Sequence, residues 1–67
     1  MYSVEVRCDA KNLANMMTQM REWLDARRFE PDSFRDTVDG EGVRFLVQFR
    51  VASEAAAFAQ AFSGQLL

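Results

Sequence analysis

Residues 43–51 read VRFLVQFRV, a stretch in which every odd-numbered side chain is apolar. Successive side chains of a strand point to opposite faces of a sheet, so this alternation predicts a strand with one buried face. That face would carry Val43, Phe45, Val47 and Phe49. The strand is the longest and most regularly patterned of the chain, and we expect it to occupy the centre of a sheet.

A second apolar run, Phe34 to Val38, precedes this strand and is separated from it by DGEG, residues 39–42. The glycines suit the positive φ angles of tight turns, so the two runs should form an antiparallel hairpin. Cross-strand partners share a face, and only a loop with an even number of residues puts Phe34 and Val38 on the buried face. The same register places Asp36 there, which favours an edge strand whose carboxylate reaches water.

The N-terminal segment predicts a strand followed by a helix. Residues 2 to 8 alternate between apolar and polar side chains, and Asp9 then stands at an N-cap position. Beyond it, apolar residues recur at three- and four-residue spacings, as on one face of a helix: Leu13, Met16, Met17, Met20, Trp23 and Leu24. Pro31 argues against continuation, so we place this helix over residues 9 to 28. The methionines coincide with its apolar face, which favours core packing over an adaptable binding surface.

The C-terminal segment predicts a second helix over residues 54 to 63. Ser53 can cap its first turn, and Gly64 suits its C-terminal end. Its buried side chains would be Ala55, Phe58, Ala59 and Phe62.

These elements predict one α+β domain spanning residues 1–67, in the order β-α-β-β-α. Two helices with one apolar face each can cover only one side of the sheet. The right-handed crossover rule favours parallel first and second strands with the third between them, which gives a three-stranded antiparallel/mixed sheet of order 1-3-2. This arrangement resembles the ferredoxin-like β-α-β-β-α-β fold with its last strand missing, a likeness of fold that identifies no family.

The missing strand would leave the first strand as an open edge. Unpaired N–H and C=O groups on an edge are a template for another chain, so we expect a homodimer through this strand. In an alternative arrangement, Leu66 and Leu67 could pair as a short last strand or pack under a partner.

Composition narrows the class of protein. The net charge of −2 argues against a general nucleic-acid or anionic-membrane binder. No run of residues has the length and apolarity of a membrane span, and the first residues do not form a signal peptide. The chain has one cysteine and no histidine, which favours a reducing, cytoplasmic location and argues against a metal site.

Four of the seven arginines are predicted on the outward face of the sheet, where Glu5 is the acidic residue that opposes them. These are Arg7, Arg35, Arg44 and Arg50. Guanidinium groups could bind a carboxylate, a phosphate or an acidic partner surface. The alternative is a solvated face whose arginines keep the sheet soluble.

The segment GVRFLV, residues 42–47, superficially resembles the aromatic motif on the third strand of RNA-recognition folds. However, Arg44 replaces the small residue of that motif, and no basic residue precedes Gly42. Phe45 and Phe49 also belong to the buried face, so we do not expect a nucleic-acid partner.

Two residues are candidates for catalysis. Asp36 would have a raised pKa if it were desolvated, and Cys8 precedes a helix N-terminus that could stabilise its thiolate. Neither has an evident base nearby in sequence, so a solvated edge carboxylate and a small apolar core residue are the favoured interpretations.

The sequence therefore predicts a non-enzymatic interaction or regulatory module, homodimeric, working through a sheet edge or the arginine-bearing face. Its partner would be a second copy or another protein, with no cofactor. The alternative is a small domain that binds an anionic ligand on the same face.

Overall fold

A computed structural model describes residues 1–40 and 42–67 of the chain. Four strands and two α-helices lie within the described residues, and a short 3-10 helix, Ala10–Asn12, precedes the first α-helix. In chain order the main elements are β1 (Tyr2–Cys8), α1 (Leu13–Arg27), β2 (Ser33–Asp39), β3 (Gly42–Phe49), α2 (Ala52–Ala61) and β4 (Gln65–Leu66). The predicted loop residue Glu41 lies outside the described residues.

The four strands form one sheet of order β2-β3-β1-β4, and each neighbouring pair is antiparallel. β3 lies between β1 and β2, as predicted. The prediction of a three-stranded sheet was wrong, because Gln65 and Leu66 pair with Glu5 and Val4. This short strand supplies hydrogen-bond partners to the side of β1 that would otherwise be an open edge. From Ser3 to Glu5, β1 is therefore not the open edge that the sequence suggested.

The hairpin has the predicted even register. Val38 lies opposite Val43 and Phe34 opposite Val47, so these apolar side chains share the helix-bearing face. Asp36 lies opposite Phe45 on the same face and is exposed, because β2 is an outer strand of the sheet. Both predictions about this edge, the register and the solvated carboxylate, are confirmed.

The core lies between the sheet and the helices. β3 buries the four odd-numbered side chains of its central run, as predicted, and β1 adds Val4 and Val6. The helices contribute Met20, Leu24, Ala55, Phe58 and Ala59. Met16, Met17 and the half-buried Trp23 pack against this cluster, which confirms that the apolar face of α1 belongs to the core.

α1 begins later than predicted. The helix expected over residues 9 to 28 is divided between the 3-10 helix and α1. The Asp9 side chain makes no capping hydrogen bond, while its backbone oxygen accepts from the Asn12 N–H at 2.9 Å. The predicted Asp9 side-chain cap was wrong because a 3-10 backbone bond starts the turn instead.

α2 begins at Ala52 rather than at residue 54. Val51 occupies the N-cap position without a side-chain hydrogen bond, and its backbone oxygen accepts from the Ala55 N–H at 3.2 Å. Ser53 lies inside the first turn, so the prediction that it caps the helix was wrong.

Two glycines are needed where backbone segments approach β1 closely. No described glycine has a positive φ, so the predicted reason for the glycines was wrong. A Cβ on Gly42 would lie 2.7 Å from the backbone oxygen of Cys8, and one on Gly64 would lie 2.9 Å from a methyl carbon of Val4. Both contacts are shorter than a methyl group allows. The left-handed conformation after α2 belongs to Ser63, whose φ is 53°.

Gly64→Ala should therefore destabilise the protein, whereas Gly40→Ala should not, because nothing lies within 4 Å of a Cβ on Gly40. Crowding of this kind costs about 1–3 kcal/mol. Urea denaturation should show that loss for Gly64→Ala and a change within about 0.5 kcal/mol for Gly40→Ala. Equal stability of the two variants would contradict the close approach of Gly64 to β1.

Candidate functional site on the open face of the sheet

The surface of the sheet opposite the helices is polar. We call it the arginine face and define it by the side chains that alternate with those of the helix-bearing face on β1, β2 and β3: Ser3, Glu5, Arg7, Ser33, Arg35, Thr37, Asp39, Arg44, Leu46 and Gln48. Its arginines, Thr37 and Asp39 are exposed, and the other five residues are half-buried. Leu46 is the one large apolar side chain of this set, so the face lacks the apolar patch that would favour packing against a second sheet.

The strand register brings two arginines face to face. Arg7 on β1 lies directly opposite Arg44 on β3, and Thr37 on β2 lies opposite Arg44 on its other side. These three residues form a row across three strands, which we call the arginine row. Like charges directly opposite each other on neighbouring strands are destabilising. The free protein therefore holds two guanidinium groups together at some electrostatic cost.

Glu5 offsets part of this cost. The Arg7 Nε atom donates to Glu5 Oε1 at 3.1 Å, and Arg44 Nε lies 3.8 Å from Glu5 Oε2. Arg44 Nη2 also lies 3.9 Å from Asp39 Oδ2. Each guanidinium has five N–H donors, so these contacts leave capacity for a further acceptor. The Arg7 side chain is 72% exposed and the Arg44 side chain 44% exposed, so such an acceptor could reach both.

Arg35 lies in the neighbouring row. It is opposite Leu46, which is in turn opposite Glu5. The described contacts include no ion pair to Arg35, and its side chain is exposed. Arg35 can therefore extend the positive surface beyond the arginine row.

Arg50 is separated from the other predicted site residues. It follows the end of β3, and its Nε and Nη2 atoms donate to Asp32 Oδ1 at 3.1 and 2.8 Å. The structure thus brings together three of the four predicted residues, Arg7, Arg35 and Arg44. The sequence had suggested Glu5 as the one acidic residue opposing the four arginines. This was wrong, because Asp32 contacts Arg50 and Asp39 lies near Arg44.

A cleft of about 480 Å³ opens at one end of the arginine row, between the hairpin and the start of the first helical segment. Its lining comprises Arg7, Cys8, Asp9, Asn12, Asp39, Gly42, Val43 and Arg44. Sequence reasoning missed Asp9, Asn12 and Asp39, because only the β1–β3 register brings these segments together. Two carboxylates accompany the two guanidinium groups, so the cleft has no excess of positive charge.

The two catalytic candidates gain no support from this geometry. Burial raises the pKa of the Cys8 thiol above its ordinary value, and the nearby Asp9 carboxylate raises it further. This shift is opposite in direction to the thiolate stabilisation that the helix N-terminus suggested. Asp36 is an exposed residue on an outer strand.

Two further observations concern other classes of site. Among the described residues, no group of three His, Cys, Asp or Glu side chains is arranged to hold a metal ion. Within the same residues, neither helix has the length and apolarity needed to cross a membrane.

Comparison with known proteins gave no match among family models, curated proteins or solved structures.

The raised pKa predicts that Cys8 is a slow nucleophile at neutral pH, since the thiolate is the reactive form. Its rate of reaction with a methyl thiosulfonate should be lower than that of free cysteine and should rise with pH, with a midpoint above the ordinary thiol value. The variant Asp9→Asn removes a negative charge near the thiol, so the pH midpoint for Cys8 reactivity should be lower in that variant than in the original protein. Rapid labelling of the folded protein at pH 7 would contradict the raised pKa.

Proposed function

We propose that this chain is a non-enzymatic interaction module whose arginine face binds an acidic partner surface. The observation that carries this proposal is the cross-strand pair of Arg7 and Arg44, two exposed guanidinium groups that share Glu5. A carboxylate from a partner would form charge-assisted hydrogen bonds to both and reduce their mutual repulsion. Binding would therefore reduce the electrostatic repulsion between Arg7 and Arg44 that destabilises the free protein.

The composition of the cleft favours an extended acidic partner over a small anion. A small anion inside the cleft would meet the carboxylates of Asp9 and Asp39 as well as the two arginines. On the open face, by contrast, Arg35 continues the positive surface beside the arginine row. Neighbouring strands lie about 4.8 Å apart, so an acidic segment crossing the strands could place successive carboxylates near successive arginines.

The other properties of the chain support this proposal without identifying the partner. The strand order supports a ferredoxin-like fold, and that fold carries many unrelated functions. The raised pKa of Cys8 favours a non-catalytic thiol. We propose a cytoplasmic location because the single thiol suits a reducing compartment. Partners would include acidic proteins and a second copy of the chain.

The small anionic-ligand domain is the second candidate function. It is favoured by the presence of a cleft of about 480 Å³ beside Arg7 and Arg44, a size that suits a small molecule. The two candidates differ in the length of the acidic ligand that stabilises the folded protein.

A thermal-shift experiment with a hexaglutamate peptide tests the proposal. A ligand at a tenfold excess over its Kd stabilises the folded state by about 1.4 kcal/mol. For a domain of this size, the Tm should then rise by roughly 5–10 °C. The rise should disappear at high salt, which screens exposed charges. It should also disappear in the double variant Arg7→Gln/Arg44→Gln, which retains side chains of similar length without the charge.

Arg28→Gln is the matched control, because it removes one exposed arginine at the end of α1, away from the arginine face. This variant should respond to the peptide like the original protein. An equal response to inorganic phosphate or citrate would instead favour the small anionic-ligand domain. No response to the peptide, phosphate or citrate would refute anion binding by this face.

A further inference from the structure

β2 is the longer of the two outer strands of the sheet. It has seven residues, whereas β4, at the other edge, has two. Among the described residues, no strand pairs with the outer side of β2. Five of its residues are exposed, and the Val38 side chain is 62% exposed even though it lies on the helix-bearing face. β2 therefore offers an extended template for another strand.

The register shows which backbone groups of β2 are unpaired. The Leu67 N–H donates to the Ser3 oxygen, so odd-numbered residues of β1 direct their backbone groups toward β4. Backbone groups alternate in direction along a strand, so the even-numbered residues of β1 face β3. Even-numbered residues of β1 pair with odd-numbered residues of β3, so the odd-numbered residues of β3 direct their backbone groups toward β1. The even-numbered residues of β3 therefore direct theirs toward β2, where they pair with odd-numbered residues. The Gln48 oxygen, which accepts from the Asp32 N–H at 2.7 Å, has this orientation.

It follows that Phe34, Asp36 and Val38 direct their N–H and C=O groups away from the sheet. A second antiparallel strand would form its closely spaced hydrogen bonds with these three residues. The side chains of all three lie on the helix-bearing face, since they alternate with those of the arginine face. The residues between them, Arg35 and Thr37, lie on the arginine face.

Charge favours one register if the second strand is β2 of another copy. In a symmetric antiparallel pair centred on Asp36 or on Arg35, that residue lies opposite its own copy, which places like charges together. A pair centred on Thr37 avoids this. It puts Arg35 of each copy opposite Asp39 of the other on the arginine face, and Asp36 opposite Val38 on the helix-bearing face. This register forms two Arg35–Asp39 ion pairs. It also allows backbone hydrogen bonds at both Asp36–Val38 pairs, where the N–H and C=O groups of each copy point outward.

We infer that two copies of this chain associate through antiparallel β2 strands, centred on Thr37 and with two Arg35–Asp39 ion pairs between the copies. The product is a continuous eight-stranded sheet with all four helices on one side and both arginine faces on the other. The Asp39 carboxylate accepts from the Gly42 N–H at 3.0 Å and lies 3.9 Å from Arg44 Nη2 on the arginine face, the side that Arg35 of the other copy would approach. Asp36 disfavours the register in which it would lie opposite its own copy.

This inference rests on the proposed function, since it names one partner of the interaction module and the surface that it uses. Self-association and acidic-partner binding can each be refuted independently of the other. Self-association depends on the β2 edge, whereas peptide binding depends on Arg7 and Arg44. A monomer that still binds hexaglutamate would refute only the inference about β2.

Light scattering after gel filtration, at several protein concentrations, tests the association. The original protein should have twice the mass of the 7.7 kDa chain at high concentration. Arg35→Glu places Glu opposite Asp39, and Asp39→Arg places Arg opposite Arg35, so each variant alone should have the monomer mass. An equimolar mixture of the two variants should recover the dimer mass, because both ion pairs are then complementary.

Val38→Pro tests the backbone contribution without changing any charge. The Val38 N–H points away from β3, so proline should leave the hairpin folded while removing a hydrogen bond between the copies. Circular dichroism should show a folded protein, and the mass should fall to that of the monomer. A concentration-independent monomer for the original protein would overturn the inference. So would a dimer that persists in Arg35→Glu and Val38→Pro.

Discussion

The ring of Phe58 joins the two helices to the central strand. It is fully buried, and its centroid lies 5.4 Å from that of Phe49 on β3 and 5.6 Å from that of Trp23 on α1. Phe62, one turn further along, lies 4.9 Å from it and also contacts Trp23. Aromatic pairs of this kind add about 0.5–1.5 kcal/mol each beyond the burial of their surface. Both helices are thereby held on the same face of the sheet.

This constraint determines what the other face can be. A chain of 67 residues buries a limited share of its surface on folding. Most of its large apolar side chains are buried in one interface, between the sheet and the helices. The opposite face therefore carries polar and charged residues, with Leu46 as the one large apolar side chain among those that define the arginine face. Any partner of this face must be recognised mainly through charge and hydrogen bonding, and partners of the edges through backbone pairing.

The chain has ten acidic and eight basic residues, and several of its arginines have an acidic neighbour. Asp32 binds Arg50 through two short contacts, and Glu5 lies between Arg7 and Arg44. The arginine of each pair is exposed to solvent, and ion pairs at the surface contribute little to stability. Their importance is geometric, since they orient the guanidinium groups. In the arginine row, Arg7 and Arg44 share the Glu5 carboxylate, whereas Arg50 has the Asp32 carboxylate to itself among the described contacts.

The sequence by itself determined the elements whose patterns are local in the chain. Alternation along residues 43–51 was sufficient to predict the buried face of β3, and the spacing of apolar residues was sufficient to predict the core face of α1. The hairpin register also followed from the sequence, since one parity alone buries Phe34 and Val38. Such periodicities are imposed by backbone geometry within a few residues, so no distant contact is needed to recognise them.

The tertiary structure alone decided the features that depend on distant segments. β4 is too short for any periodicity, so the sequence indicated a short last strand at Leu66 and Leu67 only as an alternative. Pairing of Gln65 and Leu66 with β1 decided it. The same holds for the Arg50–Asp32 pair, for the close approach of Gly64 to β1 and for the opposition of Arg7 and Arg44. The sequence placed these two arginines on one face, but only the pairing of β1 with β3 set them opposite each other. Pairing joins residues far apart in the chain, and no local pattern encodes which of them will meet.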